Sequence, residues 1–296
     1  MNTWANNLFY LIFLSQILLT SYYVPKRLLA RMDRLLTEYP PERFPKLYPR
    51  PVEFYRFGQS VFRWASRCVL LLGFAALYGA YALDGGQIAK DGYISEAWPA
   101  VYGMIQFMPL MAMELMGFRQ FQLMREANTD SKRTAVLRPR RLLDHVSWRL
   151  VLLTAVLLAA NIAFAVYLKD FQVSLTRDAT QQALVVIGTN LALMLVGAWQ
   201  LYGRKLDPYQ TAEDRSQTTK VQLTSLFLVS CALSIFIITK WATDAFDLHF
   251  LDAPLISVYF QVIVALSIGY VLRSLHFEDI NFDVYSSSPK PENDHV

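Results

Sequence analysis

Three stretches of this chain, residues 150–168, 179–203 and 253–272, carry no charged side chain over 19, 25 and 20 positions. A soluble helix of such length needs a polar face, whereas a helix that crosses a bilayer needs about 20 mostly apolar residues. The composition agrees: 54% of the 296 residues are hydrophobic and 18% charged, against about 45–50% and about 25% in ordinary soluble domains. The chain therefore reads as an all-α integral membrane protein, since helices satisfy every backbone polar group internally in lipid. The same pattern excludes a secreted disulfide scaffold, a disordered chain and a soluble enzyme.

Seven transmembrane helices are expected, at about residues 8–24, 61–83, 97–118, 150–168, 182–202, 221–239 and 255–272. The first is uncharged back to Met1 and is followed, not preceded, by Lys26 and Arg27, so it reads as a retained span rather than a signal peptide. Of the 28 Lys and Arg residues, all but Lys90, Lys169, Arg177 and Lys240 fall in segments that seven spans would place on one side. The positive-inside rule then sets the amino terminus outside and the carboxyl terminus in the cytoplasm. Trp4, Trp98 and Trp241 fall at outer ends and Trp64, Trp148 and Trp199 at inner ends, the arrangement of an aromatic belt.

Residues 1–275 thus form one seven-span membrane domain with basic cytoplasmic loops at 25–60 and 119–149, and residues 276–296 a polar, disordered tail. Within the first loop, residues 26–39 set Leu28, Leu29, Met32, Leu35 and Leu36 on one stripe against basic residues. That is the pattern of a helix lying on anionic headgroups. Pro40, Pro41, Pro45, Pro49 and Pro51 follow, interleaved with aromatics. Proline stiffens this segment, which reads as a connector and, through Tyr48, Phe54 and Tyr55, as a docking strip for a protein partner.

Inside the spans, Glu114 is the most informative residue, because an intramembrane carboxylate is costly and calls for a partner. Arg63 and Arg67 lie at comparable depth on the preceding span, so a structural ion pair or snorkelling of all three groups to the interface is expected there, the functional alternative being an inner gate with Pro109 as the flexible point. Met104, Met108 and Met111 share a face and read as packing rather than as a copper path. Asn190, Gln200 and Gln261 are candidates for a polar lining, while Ala155, Ala159 and Ala163 form a ridge suited to close helix packing.

No cofactor or metal is expected. His145, His249, His276 and His295 avoid the midplane, Cys68 and Cys231 sit alone in apolar runs, and no H-E-x-x-H, G-x-S-x-G or Gly-rich phosphate loop occurs. The basic charge follows membrane sidedness, so no nucleic-acid partner is expected. The leading functional reading is a non-enzymatic, multi-pass protein of a bacterial inner membrane. It would contact anionic headgroups and act as an accessory or scaffold subunit, docking a protein partner through its cytoplasmic loops, with homo-oligomers compatible. The alternative is a small-solute or ion transporter gated at Glu114, Arg63 and Arg67.

Overall fold

The computed structural model describes residues 3–83, 94–128, 141–167, 177–203 and 206–286, with side chains from residue 6 onward and, in the helix that begins at Arg177, from Val186 onward. Residues 129–140 of the second basic loop and 287–296 of the tail lie outside the described residues. Every regular element among the described residues is helical.

Helix α1 (Thr3–Leu18) passes through a π turn (Leu19–Tyr23) into α2 (Val24–Glu38), one helix over Asn6–Glu38. Pro25 has no N–H to offer the turn before it. The π turn absorbs that loss by wide bonding, with Val24 N–H donating to Leu19 O five residues back. At about 1.5 Å per residue, these 33 residues outrun a hydrocarbon layer about 30 Å thick. Residues 26–38 continue the first helix. Protein covers part of their apolar stripe: Leu35 packs beside Phe44 and Phe282, and Arg31 and Arg34 lie over the Phe277 ring at 4.7 and 5.7 Å.

The chain continues through α3 (Val52–Gly79), α4 (Ala97–Ala127), α5 (Trp148–Tyr167), α6 (Arg177–Tyr202), α7 (Ala212–Ala245) and α8 (Asp252–Val264). A second π turn (Ala265–Gly269) joins α8 to α9 (Tyr270–Ser274). Helix α4 runs across Pro109 without a break. Among the described residues, six helices are long and apolar enough to cross a membrane: Asn6–Glu38, Val52–Leu83, Ala97–Ala127, Trp148–Tyr167, Ala212–Ala245 and His249–Ser274. The expected span at 182–202 falls in α6, whose described apolar part, Val186–Tyr202, is shorter. The fold is a helical membrane bundle.

Two helix groups build it. Helices α1, α3, α4 and α8 enclose Phe9, Phe13, Ile17, Val69, Tyr102 and Ala253. Helices α5, α6 and α7 enclose Val186, Ile237 and Trp241 towards one end and Val146, Leu201 and Leu223 towards the other. Contact between α7 and α8 joins the groups. Gly73 explains how closely the first group packs: a Cβ there would lie 2.6 Å from Tyr102 Oη and 2.8 Å from Ile17 Cγ2. Two sequence readings about packing are reversed. Ala155, Ala159 and Ala163 face outward, as do Met104, Met108 and Met111, because α5 turns Thr154 and Asn161 inward and α4 turns Tyr102, Gln106 and Leu110 inward.

The connections gather at two ends. Residues 39–51, 141–147 and 206–211 and the segment after α9 lie at one, called here the basic end, while 94–96 and 246–251 lie at the other, the far end. The tail departs from its expected disorder over 277–285. Its 3-10 turns Phe277–Asp279 and Phe282–Tyr285 bring Phe282 and Tyr285 into a buried cluster with Phe44 and Met124. Three large aromatic rings within nine residues supply the apolar area that a loose tail lacks.

Candidate functional site

The basic end is closed by an aromatic cap. Tyr39 stacks on Phe282 at 3.8 Å between ring centroids, and Phe44, Met124 and Tyr285 fill the space around them. Polar groups tie the tail down. The Tyr285 hydroxyl donates to Asp207 Oδ2 in a short hydrogen bond, Tyr209 N–H donates to Asp207 Oδ1 at 2.9 Å, and Asn281 N–H donates to Asp214 Oδ1 at 3.4 Å. Burial, reinforced by the Asp207 and Asp214 carboxylates, holds the Tyr285 phenol well above the usual tyrosine range.

The proline-rich connector is fastened to the same cap. The Tyr48 hydroxyl donates to Tyr39 O at 2.8 Å, the Tyr55 hydroxyl to Gln120 Oε1 at 2.8 Å, and Gln120 Nε2 to Leu47 O at 2.9 Å. Tyr48 and Tyr55 pack edge to face at 5.3 Å, and Arg50 lies over the Phe54 ring at 4.4 Å. Burial, then the neighbouring Tyr55, pushes Tyr48 up to about 12. All three aromatics expected to dock a partner are thus engaged inside the chain. The cap leaves charges of both signs exposed, Arg27, Arg43, Lys46, Arg50 and Arg56 beside Glu42, Glu53, Glu278 and Asp283.

Beside the cap, where α6 ends and α7 begins, lies a cavity of about 150 Å³. Phe121, Trp199, Gln200, Asp207, Arg215 and Thr218 are among its walls. Arg215 Nη2 donates to Gly203 O at 2.9 Å, and Gln210 Nε2 to Thr218 Oγ1 at 3.3 Å. Gln200 Oε1 is buried and accepts no hydrogen bond among the described residues. The sequence holds a signal for this region that position-by-position reading passes over. Lys46-Leu47-Tyr48-Pro49 and Lys205-Leu206-Asp207-Pro208 share a Lys-Leu-x-Pro pattern. The two loops meet, with Lys46 Nζ 5.5 Å from the Tyr209 ring centroid.

The other expected sites are not assembled. Glu114, Arg63 and Arg67 are all exposed, and none takes part in any ion pair among the described residues; Arg67 instead lies over Trp64 at 5.2 Å. The reason is helical phase. Phe62, Ser66, Val69 and Gly73 take the inward face of α3, which turns Arg63 and Arg67 away. Pro109, the expected flexible point, is simply part of continuous α4. Nor do Asn190, Gln200 and Gln261 share one lining. Gln261 bonds Ser15 and Ile12 O, both at 3.1 Å, in the first helix group, and Asn190 Oδ1 accepts from Ser230 at 2.7 Å in the second. Gln200 stands at the cavity.

Two features escaped the sequence reading. One is a polar seam inside the first helix group. Gln16, fully buried, donates to Gln106 Oε1 at 3.4 Å, and Ser21 meets Tyr102 Oη at 2.7 Å. Among the described residues, Gln16 Oε1, Thr20 Oγ1 and Gln106 Nε2 have no partner. The other is an ionic knot at the far end. Lys240 Nζ lies 2.8 Å from Asp252 Oδ1, 2.9 Å from Glu96 and 3.5 Å from Asp244, while Thr243 donates to Asp252 Oδ1 at 2.9 Å. His249 Nδ1 approaches Asp252 Oδ2 at 3.2 Å. Asp244, His249 and Asp252 bring ligand atoms within 4.8 Å of one another, so by donor type they could hold a divalent ion. Lys240 already supplies the positive charge there. The Lys240–Asp244 and His249–Asp252 spacings, one helical turn each, were the signal available in the sequence.

Compared with protein-family models, with curated proteins and with solved structures, the chain matches none of them.

Proposed function

We propose that the chain is a seven-span protein of a bacterial inner membrane, amino terminus out and carboxyl terminus in, that serves without catalysis as an accessory or scaffold subunit and docks a partner on its cytoplasmic face. The alternation of connections between two ends supports the span count if α6 crosses with the others, and the charge bias supports the orientation. One observation carries the functional reading. The proline-rich connector, the 206–211 loop and the tail are knit into a single aromatic cap, and the connector presents Arg43, Lys46 and Arg50 exposed on it. A surface ordered in advance loses little conformational freedom on binding, and its charge suits an acidic protein face or anionic headgroups. The docking determinants are therefore reassigned from Tyr48, Phe54 and Tyr55 to the exposed Arg43, Lys46 and Arg50.

Gentle extraction of the tagged protein from its native membrane without crosslinker, followed by mass spectrometry, tests this. A stoichiometric co-purifying protein that is lost from an Arg43→Glu/Arg50→Glu variant is the expected result. A lone chain or homo-oligomer overturns it. A transport reading is favoured by a different observation, the unpartnered polar atoms of Gln16, Thr20 and Gln106 at membrane depth. On that reading Gln16→Leu abolishes flux in proteoliposomes while Glu114→Gln leaves it intact.

A further inference from the structure

Towards the basic end, α2 and α3 expose cations that no carboxylate of the described residues neutralises. Lys26, Arg27, Arg63 and Arg67 are all exposed, and none takes part in an ion pair among the described residues. Their own helices offer no counterion nearby, since residues 1–32 and 54–83 contain no Asp or Glu. The cap differs, because Glu42 and Glu53 stand beside its arginines.

The two pairs share a depth. Ile17 packs against Gly73, and α2 lies beside α3. The first helix runs towards the basic end and α3 away from it, so moving from 17 to 27 and from 73 to 63 sets Arg27 about level with Arg63. A crossing of about 20 residues, counted from Asn6 in the first helix and back from Leu83 in the second, ends near Pro25 and Trp64. Lys26, Arg27 and Arg63 thus stand at headgroup level. Arg67 lies one turn inside, where its long stem can carry the guanidinium outward. Exposed aromatics mark the same level: Lys26, Arg27 and Arg67 lie 5.7, 5.2 and 5.2 Å from the ring centroids of Tyr22, Tyr23 and Trp64.

Four unneutralised cations at that depth call for phosphate, which arginine meets with paired hydrogen bonds. A zwitterionic headgroup would bring a further cation. A lipid with one phosphate answers one pair and leaves the other. Two phosphates joined through one glycerol answer both. We propose that this surface binds a cardiolipin-class lipid, one phosphate on Arg63 and Arg67 and the other on Lys26 and Arg27. The proposal is independent of the docking reading, whose cations, Arg43, Lys46 and Arg50, lie on the connector.

The full-length chain in detergent is offered cardiolipin together with twice its molar amount of phosphatidylglycerol, so that both supply equal phosphate, with identical acyl chains. Retained lipid is counted by native mass spectrometry. Cardiolipin is expected to be retained about tenfold over phosphatidylglycerol, the effect of one further charge-assisted hydrogen bond. Arg63→Gln/Arg67→Gln and Lys26→Gln/Arg27→Gln each bring the ratio close to one without unfolding the chain, because the substituted side chains are exposed. Arg43→Gln/Lys46→Gln leaves it at about tenfold. Equal retention of the two lipids by the unmodified chain means that general membrane charge is all that these residues sense, and overturns the proposal. So does a preference that survives both α2 and α3 variants, or one that is lost in the connector variant. The comparison on the unmodified chain decides even if a variant fails to fold.

Discussion

The two ends of the bundle are closed by different physics. At the basic end, rings pack on rings: Phe282 against Tyr39, Tyr48 against Tyr55, Tyr285 beneath them with its hydroxyl on Asp207. At the far end, one ammonium, Lys240, holds carboxylates from three segments, Glu96, Asp244 and Asp252. Apolar burial is not screened by salt and is strengthened by salting-out ions, whereas exposed and half-exposed charges are screened within about 10 Å at 0.1 M ionic strength. The basic end should therefore persist under conditions that loosen the far end. A surface meant to hold one shape against a partner belongs on the first kind of closure, not the second.

The largest effect expected from breaking this contrast is at Phe282. Truncation to Ala should cost about 3–4 kcal/mol, as for a buried aromatic core residue, and free the tail to protease in detergent at any salt concentration. An unchanged cleavage pattern would show that the cap does not hold the tail. Next comes Lys240→Met, which leaves the mostly buried Asp252, 12% exposed in its side chain, without its cation. A loss of about 2–3 kcal/mol is expected at low ionic strength, shrinking in high salt, as measured by thermal unfolding across a salt series. A salt-independent loss would mean that Lys240 acts through packing instead.

A pH series sharpens the comparison from the other side. Tyr48 is pushed up to about 12 and Tyr285 is raised in the same direction, so both phenols are held neutral by the fold. Their contribution is complete below the ordinary tyrosine value near 10 and is lost as pH rises through about 12 for Tyr48. Tyrosinate absorbance should rise late and together with release of the tail, and titration of all tyrosines near pH 10 would contradict the burial. The smallest effect is at Glu114. Exposed and unpaired among the described residues, its change to Gln should alter stability by less than about 0.5 kcal/mol.

Much of the architecture was legible because it rests on long-range composition. Uncharged runs and alternating charge mark helices and ends without any knowledge of contacts. The site was less legible, since it depends on helical phase and on residues far apart in sequence. Glu114 and Arg67 both turn outward, and the contacts Tyr55–Gln120 and Gly73–Tyr102 set Arg67 opposite residues 107–108 rather than opposite Glu114, which position within a span cannot reveal. Ala155, Ala159 and Ala163 have the spacing of a packing ridge, yet α5 buries Asn161 and Thr154 instead, and spacing is identical for either face. Tyr285 gave no sign of its role because its partner, Asp207, lies 78 residues away, before α7, α8 and α9. The Lys240 knot, by contrast, was half visible in its i,i+4 and i,i+3 spacings.

The cap joins the first helix to the last segment, and that has a consequence for how the protein is made. Phe44 and Met124 leave the ribosome long before Phe282 and Tyr285, the residues that cover them. At about 5–20 residues per second, Met124 waits about 8–30 s for its neighbours. Until then apolar side chains at the basic end stand open, and chaperones and proteases recognise such surfaces. Burial of Phe44 and Met124 thus reports that α8 and α9 have been made and that residues 277–285 have come back to the basic end, so this segment acts as a late seal on the helices made before it.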